Sequence, residues 1–109
     1  MKLRYLAAAA LMALCALPGG ALAGGCKVVV YWDIDYGGES WVTDHDSPWV
    51  GDHWNDKISS IRVLSGDWQF FWDANYGGEV LRLGPGRYRY VGDHWNDQIS
   101  SFRCVRPTG

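Results

Sequence analysis

Two short stretches carry the densest supply of hard oxygen donors in the chain: Asn55-Asp56-Lys57-Ile58-Ser59-Ser60 and Asn96-Asp97-Gln98-Ile99-Ser100-Ser101. Each offers carboxylate, amide, hydroxyl and backbone carbonyl oxygens close together, and an oxygen-only set selects a hard cation. Ca²⁺ suits such a loop better than Mg²⁺, because irregular backbone supplies variable coordination more readily than a strict octahedron. Neither stretch is an EF-hand, which needs a longer loop closed by a bidentate Glu. The same residue types also cap and bend ordinary turns. The case for a cation therefore rests on their recurrence in register.

Other reactive residue types stand in the same chain. Asp52-His53 and Asp93-His94 set a carboxylate next to an imidazole, which could serve acid-base work or zinc. Adjacent residues in extended backbone point apart, however, and solvated loop residues account for such pairs as well. No hydroxyl or thiol nucleophile is flanked by a plausible base, and no carboxylate pair sits in a glycosidase-like context. A non-enzymatic protein is expected. Seven Trp could build a sugar-stacking platform, but in a small domain most should fill the core. Exposure of Trp41 and Trp49 would argue otherwise.

The elements that must position these residues are duplicated. Tyr31-Trp32-Asp33-Ile34-Asp35-Tyr36-Gly37-Gly38-Glu39 recurs 40 positions later as Phe71-Trp72-Asp73-Ala74-Asn75-Tyr76-Gly77-Gly78-Glu79. Val50-Gly51-Asp52-His53-Trp54-Asn55-Asp56 recurs 41 positions later as Val91-Gly92-Asp93-His94-Trp95-Asn96-Asp97. Two copies with Trp-Asp pairs cannot close a propeller. Strand-like runs punctuated by Gly, Asp, Asn or Pro cover Lys27 to Trp32, Val42, Trp49-Val50 and Ile61 to Val63. They continue through Trp68 to Trp72, Val80 to Leu83, Tyr88 to Val91 and Phe102 to Val105. This spacing predicts an all-β, two-sheet sandwich of eight short strands.

The N-terminus predicts export. Lys2 and Arg4 precede an apolar stretch from Leu6 to Leu17 and the small-residue end Ala21-Leu22-Ala23, the order of a secretory signal cleaved after Ala23. The apolar run falls short of the roughly 20 residues of a spanning helix, so no membrane span is expected in the mature chain. Removing 23 of 109 residues leaves 86, one small domain over 24–109. Loss of Lys2 and Arg4 leaves 8 basic residues against 12 acidic ones, a net charge of -4, which disfavours a nucleic-acid partner. Cys15 leaves with the signal, and the remaining Cys26 and Cys104 of a secreted or periplasmic domain are expected to form a disulfide. Buried free thiols, or lipidation of Cys26 in the weak lipoprotein box Ala23-Gly24-Gly25-Cys26, are the alternatives.

Together these features resemble the microbial βγ-crystallins: the aromatic-glycine pattern of Tyr31, Tyr36 and Gly38, and of Phe71, Tyr76 and Gly78, each followed by the Asn/Asp-Asn/Asp-x-x-Ser/Thr-Ser clamp. Ser60-Ile61-Arg62-Val63, Ser65-Gly66-x-Trp68 and Gly86-Arg87-Tyr88 also look like that superfamily's Greek-key signature. The resemblance implies two intertwined Greek keys, about 27–64 and 67–105, with two Ca²⁺ sites built jointly by them. One site would take the Lys57 carbonyl, Ser59 Oγ, Asp97 and the Trp32 carbonyl. The other would take the Gln98 carbonyl, Ser100 Oγ, Asp56 and the Trp72 carbonyl. Asn55 and Asn96 belong to the motif. Ser60, Ser101, Gly38 and Gly78 would shape the folded hairpins, and Tyr88 would form a tyrosine corner that Asp46-Ser47-Pro48 lacks in the first half. One carboxylate per site implies dissociation constants of roughly 10⁻⁶ to 10⁻³ M; tighter binding would bring in Asp33, Asp35 and Asp73. The expected function is a secreted calcium-binding domain whose ion stabilises the fold. The alternative, a secreted metalloprotease inhibitor of the same fold, is weakened by the short inter-strand connections.

Overall fold

The computed structural model describes residues 25–108, and the expected export signal over 1–23 lies outside them. Among the described residues the strands are β1 Lys27–Tyr31, β2 Ser40–Thr43, β3 Ser60–Ser65, β4 Asp67–Asp73, β5 Gly77–Leu83, β6 Gly86–Tyr88 and β7 Ser101–Arg106. They form two antiparallel sheets. One has four strands in the order β2-β1-β3-β6, and the other three in the order β5-β4-β7.

The halves exchange their third element. β6 belongs to the second repeat yet pairs with β3 of the first, Tyr88 lying opposite Ile61. In return Ser47 of the first repeat makes an isolated antiparallel bridge to Phe102 on β7. That bridge takes the eighth strand's place. It also corrects two expected boundaries: Trp49-Val50 is not a strand, and the strand expected over Tyr88 to Val91 ends at Tyr88. Pro48 has no N–H for a ladder, so pairing of this segment is confined to Ser47. Val50 and Val91 instead send their N–H groups to the Ser100 and Ser59 carbonyls, 3.0 Å in each case, which carries the chain across to the other half.

Alternation explains the layers, because successive side chains on a strand face opposite ways. Val28, Val30 and Ile61 of one sheet and Trp68, Phe70 and Phe102 of the other are all fully buried. Each such side chain contributes about 1.5–3 kcal/mol on leaving water. Phe102 is the hub: its ring centroid lies 5.8 Å from Trp68, 5.6 Å from Phe70 and 5.3 Å from Trp41 of the opposite sheet. Trp54, Ile58, Trp95 and Ile99 anchor the two oxygen-rich segments against this core.

The β1–β2 and β4–β5 hairpins fold back on themselves around Gly38 and Gly78. Their φ angles of 72° and 74° lie in the left-handed region, and an added Cβ would stand 2.6 Å from the Asp33 or Asp73 carboxylate oxygen. Only glycine fits there without displacement. Tyr88 Oη donates to the Gly84 carbonyl at 2.7 Å. A disulfide joins Cys26, just before β1, to Cys104 on β7, with 6.3 Å between the Cα atoms. It ties the two sheets together across 78 residues of sequence.

Candidate metal centre

Both oxygen-rich loops follow the same path. Each begins as a tight turn, with Asn55 N–H and Asn96 N–H donating at 2.8 Å to the Gly51 and Gly92 carbonyls. Each passes through a left-handed residue, Asp56 and Asp97, both at φ 60°. Asp adopts that region more readily than most residues because its short side chain bonds locally, and strain of this kind gathers at ligand clamps. Each then enters a strand through two serines whose side chains do different things.

The second serine of each pair is fully buried and holds a folded hairpin. Ser60 Oγ donates to the Asp33 carbonyl at 2.6 Å and accepts the Tyr36 N–H at 3.0 Å. Ser101 Oγ does the same with the Asp73 carbonyl and Tyr76 N–H, at 2.6 and 3.0 Å. The first serine faces the other half of the molecule. Ser59 N–H bonds the Tyr31 carbonyl at 2.9 Å, and Ser59 Oγ donates to Asp97 Oδ1 at 3.3 Å across 38 residues of sequence. Asp97 N–H reaches the Ile58 carbonyl at 3.2 Å. Lys57 Nζ lies 5.6 Å above the Trp32 ring. Trp32, Lys57, Ser59 and Asp97 therefore share one corner of the fold.

The second corner departs from this pattern. Ser100 N–H bonds the Phe71 carbonyl at 3.0 Å, in register with Ser59. Its hydroxyl, however, donates to Asn55 Oδ1 at 2.8 Å, and Asp56 is reached only through Asn55 Nδ2 at 3.4 Å. A neutral amide thus stands where Asp97 stands in the first corner. The counterpart of Asn55 in the first corner, Asn96, has its Oδ1 buried without a hydrogen-bond partner.

These residues suit a hard cation. A buried carbonyl oxygen without a donor costs about 1–3 kcal/mol, and Asn96 Oδ1 carries that cost beside the Asp97 carboxylate. The surrounding donors are oxygens of neutral groups and one acid per corner, the chemistry of a Ca²⁺ loop. Among the described residues no three His, Cys, Asp or Glu side chains form a metal-binding group, so any ion here draws on hydroxyl and carbonyl oxygens.

The two histidines of the duplicated Asp-His motif are occupied otherwise. His53 Nε2 lies 2.6 Å from Glu39 Oε2, and His94 Nε2 lies 2.8 Å from Glu79 Oε1. Each imidazole also packs on a tryptophan, Trp32 at 5.0 Å and Trp72 at 4.9 Å between centroids. The neighbouring Asp52 and Asp93 are not their partners; Asp93 instead accepts the Tyr90 hydroxyl and raises its pKa above 10. Glu39 and Glu79 were missed as partners in the sequence, although both close the duplicated aromatic-Gly-Gly-Glu motif. Of the two Trp residues whose joint exposure would favour a platform, Trp41 packs against Trp54 and Phe102, and Trp49 is 44% exposed. One exposed ring does not make a platform.

The Beta/Gamma crystallin family profile matches residues 27–105. The chain belongs to the βγ-crystallin family. A βγ-crystallin structure from an archaeon is 44% identical, with a TM-score of 0.70 over 74% of this chain and 99% of that one. A βγ-crystallin domain from Flavobacterium johnsoniae is 29% identical, with a TM-score of 0.63 over 72% of this chain and 93% of that one. A curated beta/gamma-crystallin of Ciona intestinalis is 33% identical over 63 residues, 57% of this chain and 75% of that protein. In this βγ-crystallin, therefore, the exchange of Ser47 and β6 is the intertwining of two Greek keys. The two oxygen-rich corners lie where the halves cross.

Proposed function

We propose that this βγ-crystallin domain binds two Ca²⁺ ions, one at each crossed corner, and that the ions stabilise the assembled fold. The observation that carries the reading is the Ser59 Oγ to Asp97 Oδ1 contact at 3.3 Å, which brings a hydroxyl of one repeat to a carboxylate of the other. The first ion is held by Asp97, Ser59 Oγ and the Lys57 and Trp32 carbonyls. The second is held by Ser100 Oγ and the Gln98 and Trp72 carbonyls, with Asp56 as the acid and Asn55 beside it.

Bound calcium supplies a charge that attracts the carboxylate and satisfies several neutral oxygens at once. The chain's own part is to bring those oxygens together only when both repeats are folded. Binding to the folded form alone adds about 2.7 kcal/mol per site when the ion is at a hundred times its dissociation constant. The role is non-enzymatic, and the disulfide supports an exported protein, since such bonds persist in oxidising compartments. Calorimetric titration of the metal-free protein with CaCl₂ tests the reading. Two sites in the range of roughly 10⁻⁶ to 10⁻³ M are expected, and heats no larger than those of dilution would reject it.

A further inference from the structure

The duplication places two equivalent arginines on the outer faces of the two sheets, Arg62 on β3 and Arg103 on β7, 41 positions apart. Their surroundings differ in the sign of one neighbouring charge. Arg103 Nε donates to Gln69 Oε1 at 3.1 Å, and its guanidinium lies 5.4 Å from the Phe71 ring and 5.0 Å from the Tyr76 ring. Asp46 lies beside the same group: it accepts the Cys104 N–H at 2.9 Å, and its charge and that of Arg103 push the Tyr76 phenol in opposite directions. The second outer face therefore holds one cation with one anion.

On the first outer face the residue equivalent to Asp46 is Arg87. Arg87 on β6 stands directly opposite Arg62 on β3, and directly opposite side chains in an antiparallel pair have Cβ atoms about 4.5–5.5 Å apart. Like charges in that register repel. Neither guanidinium has a carboxylate partner among the described residues. Arg62 Nη1 reaches only the Tyr31 hydroxyl, at 3.4 Å. The nearby Asp35 is taken by Arg89, whose Nε and Nη2 donate to its two oxygens at 2.6 and 3.1 Å. Arg62, Arg87 and Tyr36 line a recess of about 220 Å³. Two forked donors and a phenol thus converge on one opening in a chain whose net charge is negative.

We propose that the recess between Arg62, Arg87 and Tyr36 binds a tetrahedral oxyanion, a phosphate or phosphate monoester, which supplies the negative charge that Asp46 supplies in the other half. Guanidinium forks match such oxygens in pairs, and the Tyr36 hydroxyl adds a further donor. The recess uses none of the residues assigned to the proposed calcium corners.

The test is ¹H–¹⁵N NMR of the arginine Nε–Hε groups in metal-free buffer, titrated with inorganic phosphate or with glucose 6-phosphate at ionic strength held constant with chloride. Saturable shifts confined to Arg62, Arg87 and the Tyr36 ring are expected, and the ligand that binds more tightly tells whether the anion is taken free or as an ester. Arg87→Gln should weaken binding about tenfold or more. Arg87→Asp, which restores the charge pattern of the other half, should abolish it, and Arg82→Gln should leave it unchanged. Shifts that grow linearly, that spread equally over Arg82, Arg89 and Arg106, or that survive in folded Arg87→Asp would overturn the site.

Discussion

Adjacent serines in one clamp should respond to alanine in opposite ways, and the contrast follows from what each hydroxyl touches. Ser60 is fully buried, and its Oγ serves both the Asp33 carbonyl and the Tyr36 N–H. Ser60→Ala removes two hydrogen bonds and strands two backbone groups in the folded hairpin. At about 1–2 kcal/mol for each group, the loss is about 2–4 kcal/mol, or roughly 10–25 °C in Tm for a domain of this size. Ser59 Oγ makes only a 3.3 Å contact with an exposed carboxylate. Ser59→Ala should cost less than about 1 kcal/mol in metal-free protein, yet remove the calcium-dependent gain at its corner. Urea unfolding of both variants, with EDTA and with saturating CaCl₂, separates the two losses. A Ser60→Ala protein as stable as wild type in EDTA would refute the reasoning, as would a Ser59→Ala protein that keeps its full response to calcium.

Further outcomes follow from other parts of the fold. Reduction of the Cys26–Cys104 bond should destabilise the domain by about 2–5 kcal/mol, measured by unfolding with and without dithiothreitol. Gly78→Ala places a Cβ 2.6 Å from Asp73 Oδ2 at φ 74° and should cost about 1–2 kcal/mol from the backbone conformation alone, read as a lowered midpoint in urea. Burial, and then the charge of Asp46, raise the Tyr76 pKa above 10. A pKa raised in the folded state means that stability from this group is complete below about pH 10 and falls as pH rises through the raised value. Stability measured from about pH 9 to 11 should show that decline, and Tyr76→Phe should lessen it.

Much of this architecture was legible in the sequence because the chain says it twice. Tyr31 to Glu39 and Phe71 to Glu79 repeat the same aromatic and glycine positions, so the duplicated strands and a two-sheet sandwich could be read from spacing, while the folded hairpins came with the resemblance to the βγ-crystallins. Much of what escaped was decided by contacts between the halves. Trp49-Val50 has strand-like residues, but Pro48 restricts the ladder to Ser47, whose partner Phe102 lies far away in sequence. The His53–Glu39 and His94–Glu79 pairs lie within single repeats and were hidden for a different reason, since the adjacent Asp52 and Asp93 were the obvious neighbours. The meeting of Ser59 with Asp97 follows the crossed pairing that the resemblance implied, whereas the meeting of Asn55, rather than Asp56, with Ser100 depends on loop geometry that composition does not encode.

Crossing of the clamps between repeats is the claim on which the functional account turns, and Asp97→Ala tests it most directly. Calcium titration of this variant should be followed by calorimetry and by backbone NMR of residues 55–60 and 96–101. The account predicts that one of two ions is lost, that calcium no longer shifts Lys57 to Ser59, and that Gln98 to Ser100 still respond. An Asp97→Ala protein whose Ser59 loop still binds while its own Gln98–Ser100 loop falls silent would contradict it, and each loop would then hold its own ion.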